Sequence, residues 1–498
     1  MGSTTLIDLR GPERSRSPSG GEPPEGDEPV KLYTPRRQIY PQLAAGKIRT
    51  IKWIVLIASL ALYYVLPWLR WDYGVGAPNQ AVLADFAGGR FYFFGLTLWP
   101  QEVYYITGLL ILAALGLFLV TALFGRVWCG YACPQTVWTD LFIAVERLFE
   151  GDRNARMRLD KAPWSLDKAW RKIGKHATWL LIAFATGGAW ILYWHDAPSL
   201  AATFFNGHAP ATAYVFAGLL TFTTYALAGT MREQVCTYMC PWPRIQAALT
   251  DKTTLTVTYR SDRGEPRGAH KKGDLWEGRG DCIDCKQCVV VCPMGIDIRD
   301  GAQLECIACG LCIDACDSVM RKVGRPAGLV AYDTDDNVLR RTQKRSAAPF
   351  KPFRARTLLY LAVLGITAGL MVVGLATRSS FEVSVLKDRS LPFVQLATGD
   401  IRNGYTLKLV NKRNATRELT LHLEGIPGAV ISVVGSADAG QSVTLPAEGD
   451  EVERFRVLVT APAIAIDHRG TARLRFIIND PITHEQVTVI EPFRGPEH

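Results

Sequence analysis

Three features of this 498-residue sequence predict a multi-domain membrane protein: an α-helical bundle of five transmembrane helices, an inserted cytoplasmic two-cluster ferredoxin-like module, and a C-terminal all-β immunoglobulin-like sandwich. The first feature is a set of charge-free windows of membrane-spanning length. The second is a pair of four-cysteine runs between the fourth and fifth windows. The third is a switch to strand-period alternation after residue 378.

The charge-free windows are 53–69, 103–125, 176–195, 211–231 and 357–377, each near the ~20 residues a spanning helix needs. Lys and Arg collect in the connecting segments 126–175, with ten, and 232–356, with twenty-one; 70–102 has two and 197–210 none. Cytoplasmic loops retain such residues, so the N-terminus is expected inside and the C-terminus outside. Residues 1–32, which include SPSGGEPPEGDEP, are too rich in Pro, Gly and charge to bury a core and predict a disordered cytoplasmic tail. The apolar run begins only after Lys52, so no cleavable signal peptide is expected before it. The net charge of +9 is accounted for by basic residues flanking the membrane. It calls for no nucleic-acid partner.

Residues 33–241 make up the four-helix membrane region. Its outside segment 71–102 carries FYFFGLTLWP, which predicts an interfacial hairpin or short helix held by aromatic side chains. The second window ends in Cys129-Gly-Tyr131-Ala-Cys133-Pro134, and the fourth in Cys236-Thr-Tyr238-Met239-Cys240-Pro241. The repeat makes the first four spans a tandem pair of hairpins with both motifs on the cytoplasmic face. Proline disfavours α conformation in the residue before it, so Cys133 and Cys240 are expected on turns leaving the helix axis. Four thiols then converge, flanked by Arg126, Arg232 and the thioethers of Met231 and Met239. A disulfide is disfavoured in a reducing compartment. Buried packing and metal or redox chemistry remain as alternatives. A neighbouring guanidinium favours thiolate, and thiolate and thioether are soft donors that select Cu(I), Zn or Fe–S.

Residues 136–149 place Trp138, Leu141, Phe142, Val145, Leu148 and Phe149 on one helical face, as for a helix lying in the interface or one packed on the cysteine-rich module. His176 and His195, at opposite ends of the third window, read as interfacial histidines rather than haem ligands.

Residues 242–350 contain GDCIDCKQCVVVCPMG and ECIACGLCIDACD. Both follow the C-x2-C-x2-C-x3-C run of two-cluster ferredoxins, in which the fourth cysteine of each run ligates the other cluster. Cys282, Cys285, Cys288 and Cys316 are therefore assigned to one [4Fe–4S] cluster, and Cys306, Cys309, Cys312 and Cys292 to the second. Asp317 stands where the first run has Pro293, which changes the turn after the ligand rather than ligation. Structural zinc is disfavoured, because its motifs pair two short knuckles across a longer spacer.

Residues 351–377 are the fifth transmembrane helix. Over 378–498, GYTLKLVNK, RELTLHLEG, AVISVVG, QSVTLPA, ERFRVLVTAP, ARLRFIIND and QVTVIEP alternate apolar and polar residues between Gly, Pro, Asn and Asp turns. Seven such strands predict a periplasmic immunoglobulin-like domain, with no cysteine and so no disulfide.

The two C-x-Y-x-C-P elements, the crossing cysteine runs with GIDIRDG between them, RGEPRG at 263–268, TPRRQIYPQLAAGKIR before the first span and the outside C-terminal domain together resemble the CcoG/FixG/RdxA family. Those proteins are accessory factors for assembling cbb3-type cytochrome c oxidases in the bacterial inner membrane. The resemblance implies a cupric reductase. Cys129, Cys133, Cys236 and Cys240 would handle copper as a substrate or transient ligand, with Met231 and Met239 as weaker candidates beside them. It also implies an unidentified cytoplasmic electron donor and, as partners, oxidase assembly factors or a copper transporter or chaperone. Two other readings fit parts of the pattern: a quinol-linked electron-transfer subunit resembling NapH-type ferredoxins, against which the outside β domain speaks, and a non-enzymatic redox-sensing assembly scaffold.

Overall fold

A computed structural model describes residues 38–498 except 75–76, 272, 274, 390–391, 414, 437–438, 466–469 and 497–498; the tail expected over 1–32 lies outside the described residues. Residues 40–498 hold together as one unit. Helix α1 (Lys47–Val65) runs on through a 3-10 turn to Trp68. Its first amides, of Ile48 and Arg49, donate to the Asp314 carboxylate at 3.3 and 2.8 Å, where a negative charge complements the helix dipole. Segment 71–102 forms the hairpin alternative of the sequence reading, as an antiparallel meander of β1 (Val82–Asp85), β2 (Arg90–Phe93) and β3 (Leu96–Leu98).

The chain continues through α2 (Tyr104–Phe124), α3 (Val127–Tyr131), α4 (Pro134–Glu150), α5 (Arg153–Lys161), α6 (Leu166–Ile191), α7 (Ala197–Phe205) and α8 (Ala211–Thr224). The last of these widens into π-helix over Tyr225–Met231, and a second π turn covers Val235–Met239 before α9 (Trp242–Leu249).

Four helical stretches among the described residues are long and apolar enough to cross a membrane: Lys47–Trp68, Pro100–Phe124, Ala211–Met231 and Ala355–Ala376. The predicted third window lies in α6, which differs. Asp167, Lys168, Arg171, Lys172 and Lys175 occupy its first turns. The apolar part from 176 to 191 rises only about 24 Å, short of the ~30 Å hydrocarbon core.

Of the two settings expected for helix α4, the structure favours the packed one, because the helix is buried on two flanks. Phe142 and Val145 meet Trp179 and Ala183 of α6 and Ala228 of the first π turn, with the Phe142 and Trp179 rings stacked at 5.2 Å. Val137, Asp140 and Ile143 are buried on the other flank. Asp140 accepts from Arg49 of α1 at 2.8 Å. Of the predicted apolar face, Leu148 stays exposed.

The cysteine-rich module has a two-stranded antiparallel ladder, β4 (Thr256–Tyr259) with β5 (Val330–Asp333). Between and beyond the strands lie α10 (Ser261–Gly264), α11 (Gln287–Val290), α12 (Leu311–Lys322) and α13 (Asp335–Thr342). Val257, Ile298, Ile313, Met320, Leu329 and Val330 form its apolar core beside Cys282 and Cys288. Helix α14 (Ala355–Ala376) then leads to the sandwich.

The sandwich strands are β6 (Phe381–Lys387), β7 (Val394–Gln395), β8 (Ile401–Asn411), β9 (Arg417–Glu424), β10 (Val430–Val433), β11 (Ala439–Gly440), β12 (Ser442–Ala447), β13 (Val452–Ala461), β14 (Thr471–Asn479) and β15 (Gln486–Arg494). One antiparallel sheet runs β11-β10-β13-β8-β6 and the other β12-β9-β14-β15. Alternate residues such as Tyr405, Leu407, Leu409, Leu419, Leu421, Phe476 and Ile478 fill the space between them. Strand β6 was not among the seven expected; its FEVSVLK follows directly on the apolar helix and hides behind it.

Candidate functional site

The two cysteine runs fold alike. In Cys282-Ile-Asp284-Cys285-Lys286, Asp284 and Lys286 have φ of 52° and 55°. In Cys306-Ile-Ala308-Cys309-Gly310, Ala308 and Gly310 have φ of 51° and 72°. Left-handed residues at matched positions wrap each loop around a hollow and turn amides inward, a backbone suited to an anion. One hollow is lined by Cys282, Cys285, Cys288 and Cys316 with Tyr259, Arg299 and Met320. The other is lined by Cys288, Cys292, Cys306, Cys309 and Cys312 with Met294, Ile296 and Ile298. The amides of Met294 and Ile296 bond the Cys292 sulfur, and those of Ala308 and Val330 bond Cys306 and Cys316.

Among the described residues, no three Cys, His, Asp or Glu side chains stand close enough for a single metal ion. Thiolates around a cubane stand apart by the width of the cluster, so a hollow walled by four cysteines, or by five where Cys288 borders both, is the arrangement that fits. Burial pushes the thiols of Cys288 and Cys306 up to about 11 and those of Cys292 and Cys316 to about 12. A cluster that binds there must displace protons. Asp317, the departure from the proline pattern, accepts from the Gly328 amide at 2.7 Å and anchors the return to β5.

The C-x-Y-x-C-P thiols lie beyond the ends of α2 and the π-wound helix, near enough for Cys236 to feel Cys129, Cys133 and Cys240 electrostatically. Cys133 (φ −60°, ψ 129°) and Cys240 (φ −80°, ψ 123°) are extended, as the following prolines require. Cys129 is buried, Cys133 and Cys236 are half-buried, and Cys240 is exposed. The Cys129 thiol donates to Gln246 Oε1 at 3.2 Å. The same oxygen accepts from Arg126 Nε at 3.1 Å, and Gln246 Nε2 donates to Thr121 Oγ1 at 3.4 Å.

Two expectations are corrected here. The neighbouring guanidinium does not leave Cys129 or Cys236 as easily ionised thiols: burial raises both, Cys236 to about 12, against the pull of Arg126. Arg232 does not flank the thiols as a free charge. Its guanidinium bonds Glu146 and, through Nε, the Gly229 carbonyl at 2.8 Å. Met231 ends the first π turn, half-buried, and Met239 is exposed.

The first motif rests directly on the second cysteine loop. A Cβ on Gly130 would come within 2.7 Å of the Ile307 carbonyl and 2.9 Å of Cys309 Cα, so only glycine permits the approach. Cys129, Ile307, Cys309 and Leu311 share one packed cluster. Tyr131 and Tyr332 hydroxyls meet at 3.2 Å, and Tyr332 donates to the Ala308 carbonyl at 2.7 Å. Gln135 Nε2 donates to the carbonyls of Leu227 at 2.8 Å and Arg232 at 3.2 Å, tying the first motif to the turn before the second.

Gln246, Gln135 and Glu146 escaped the sequence reading because nothing local marks them. Met294, two residues after Cys292, carried a signal in its position. His176, set aside as a ligand, bonds the Tyr225 hydroxyl through Nδ1 at 2.9 Å.

Family models match three stretches: a 4Fe-4S binding domain over 106–151, a 4Fe-4S dicluster domain over 231–335, and the IG-like fold at the C-terminal of FixG over 371–496. The nitrogen fixation protein FixG of Rhizobium meliloti (strain 1021) is 49% identical over 485 residues, covering 91% of this chain and 92% of that protein. Protein RdxA of Cereibacter sphaeroides is 48% identical over 434 residues, covering 86% of this chain and 91% of its own. Among solved structures, a FixG-related protein from Vibrio parahaemolyticus matches 23% of this chain and 96% of its own length at 23% identity, with a TM-score of 0.20.

Proposed function

The chain belongs to the FixG/RdxA family, and from that premise we propose that this membrane iron–sulfur protein delivers electrons to copper, reducing Cu(II) to Cu(I) for assembly of the copper centre of a cbb3-type cytochrome c oxidase. The observation that carries the reading is the contact between the first C-x-Y-x-C-P turn and the second cysteine loop, which sets Cys129 and Cys309 in one packed cluster. Soft thiols beside an electron-transfer module suit a soft, one-electron substrate.

On this reading Cys282, Cys285, Cys288 and Cys316 hold one [4Fe–4S] cluster, and Cys306, Cys309, Cys312 and Cys292 hold the other. The linings of the two hollows support that crossed partition. When bound, such clusters supply reversible one-electron transfer. The chain's own side chains bind and orient: Cys129, Cys133, Cys236 and Cys240 offer sulfur to copper as substrate, and Gln246 fixes the Cys129 thiol.

We place five crossings in the bacterial inner membrane, with the cysteine module in the cytoplasm and the sandwich in the periplasm. On this reading helix α6 returns the chain across the bilayer, which its course supports: it leads from the loops beside the cysteine module to Tyr193, whose carbonyl accepts from Ala84 of the meander at 2.8 Å. Its lysines and Arg171 can reach the head groups from a short apolar stretch.

The test uses the full chain purified anaerobically with its iron and sulfide measured. After reduction it is expected to convert Cu(II) to Cu(I), and serine at Cys129, Cys133, Cys236 or Cys240 should slow that conversion without loss of iron. Undiminished rates in all four variants would overturn the reading. The match of 106–151 to a 4Fe-4S binding domain favours one alternative, in which these four thiols hold a further cluster. Three clusters' worth of iron, rather than two, would decide for it.

A further inference from the structure

A cavity beside the second motif is lined by Cys236, Met294, Glu233, Asp140 and Ile307, with the cationic Lys52, Arg147 and Arg232 also on its wall. The neighbouring hollow of the second cysteine cage is lined by Met294 and Ile307 together with Cys292, Cys306, Cys309 and Cys312. Among the described residues, Met294 is therefore the one sulfur-bearing side chain that borders both spaces. It also packs against the cluster of buried residues that contains Cys129 and Cys309.

The other donors around the cavity differ in what they have left to give. Asp140 is already held by Arg49 at 2.8 Å and Lys52 at 3.5 Å. Cysteines of the cage are assigned to iron. Cys236 and Met294 remain as the soft-donor residues on the wall of that cavity.

We propose that this cavity is a cuprous-ion site in which the Met294 thioether joins Cys236 as a sulfur ligand, holding Cu(I) between its reduction and its release. This rests on the copper reading above. A neutral thioether adds no charge next to the anionic cage, and it favours Cu(I) over harder ions. The binding transfers no electron; it stabilises the reduced ion in a place from which the carboxylates of Asp140 and Glu233 offer little competing affinity.

The test uses the full chain with its clusters, grown on selenomethionine, loaded anaerobically with Cu(I) and measured by copper X-ray absorption. A copper–selenium shell is expected, and it should vanish in Met294→Leu while iron and sulfide stay unchanged. Competition with a Cu(I) chelator should show the variant releasing copper roughly tenfold more readily, the lower end of what lost metal-site contacts cost. Copper surrounded by sulfur without selenium overturns the site and leaves the reductase reading standing, and so does a selenium shell that survives Met294→Leu. Failure of the wild-type chain to take up Cu(I) overturns both. The spectroscopic arm needs no variant, so poor folding of Met294→Leu does not rescue the proposal.

Discussion

The carboxamide of Gln246 accepts from the buried Cys129 thiol and from Arg126, and none of the side chain reaches solvent. Leucine there would leave the buried Cys129 thiol without an acceptor, at roughly 1–3 kcal/mol, and would remove one of the two partners of Arg126. Gln246→Leu is expected to slow Cu(II) reduction with the iron content unchanged, while Gln246→Glu, which keeps an acceptor, should lose less. Equal rates in wild type and the leucine variant would show that the thiol needs no such support. A second residue-scale outcome concerns the crossed cages. Cys316 lies in the second run but lines the hollow of Cys282, Cys285 and Cys288. Cys316→Ala should therefore disturb the signal of that cluster, and electron paramagnetic resonance showing loss of only the Cys306 partner would refute the partition. All twelve cysteines stand out in the sequence because motif spacing is local. Gln246 was not, because its importance arises from a fold that returns it to a thiol 117 residues away.

Among elements, α4 is legible as a helix, whereas its apolar stripe leaves open whether it lies in the interface or packs inward. Period alone marks an apolar stripe, and the second buried flank of Val137, Asp140 and Ile143 includes a carboxylate that looks solvent-facing until Arg49 and Lys52 supply its partners. The same holds for Glu146, which is 4% exposed and meets Arg156 at 2.6 Å, Arg232 and Lys175. Through Arg232, whose φ is 43°, Glu146 fixes the turn that delivers Cys236. Removing one partner of a buried ionic group costs about 3–5 kcal/mol, because the others stay buried and unpaired. Glu146→Ala is accordingly expected to lower thermal stability in detergent by an amount of that order and to slow copper reduction. An unchanged melting temperature would mean that the lysine and arginines find water instead. The π-wound stretches at Tyr225–Met231 and Val235–Met239 had no counterpart in the sequence reading. One residue of register more or less per turn leaves no trace in an apolar pattern. Strand alternation after residue 400 was easier to read, since period two survives wherever one face is buried.

Across the whole molecule, the loops between helices fall into two sets, each tied together by its own ion pairs and hydrogen bonds. In one set, Arg126 bonds the Leu304 carbonyl, Tyr40 donates to Asp160 at 2.7 Å, Asp314 receives the start of α1, and Arg354 before α14 reaches Asp251 at 2.8 Å. In the other, Arg70 meets Asp196 at 2.5 Å, Arg90 of the meander meets Asp450 of the sandwich at 2.5 Å, and Arg378 and Lys412 converge on Glu102 at 2.7 and 2.8 Å. This grouping matches the division made from Lys and Arg counts alone, in which 126–175 and 232–356 hold nearly all the basic residues between spans, and on the proposed topology that basic set is the cytoplasmic one. A phosphatase that is active only outside the cytoplasm, fused after Pro496, is therefore expected to be active. The same enzyme fused after Ala347, in the exposed stretch between α13 and α14, should be inactive. Both fusions leave the cysteine cages intact, and the first also leaves the strands of the sandwich complete. The opposite pattern would put twelve free thiols on the oxidising side of the membrane, where disulfides form and persist, and would overturn the proposed placement of the cysteine module.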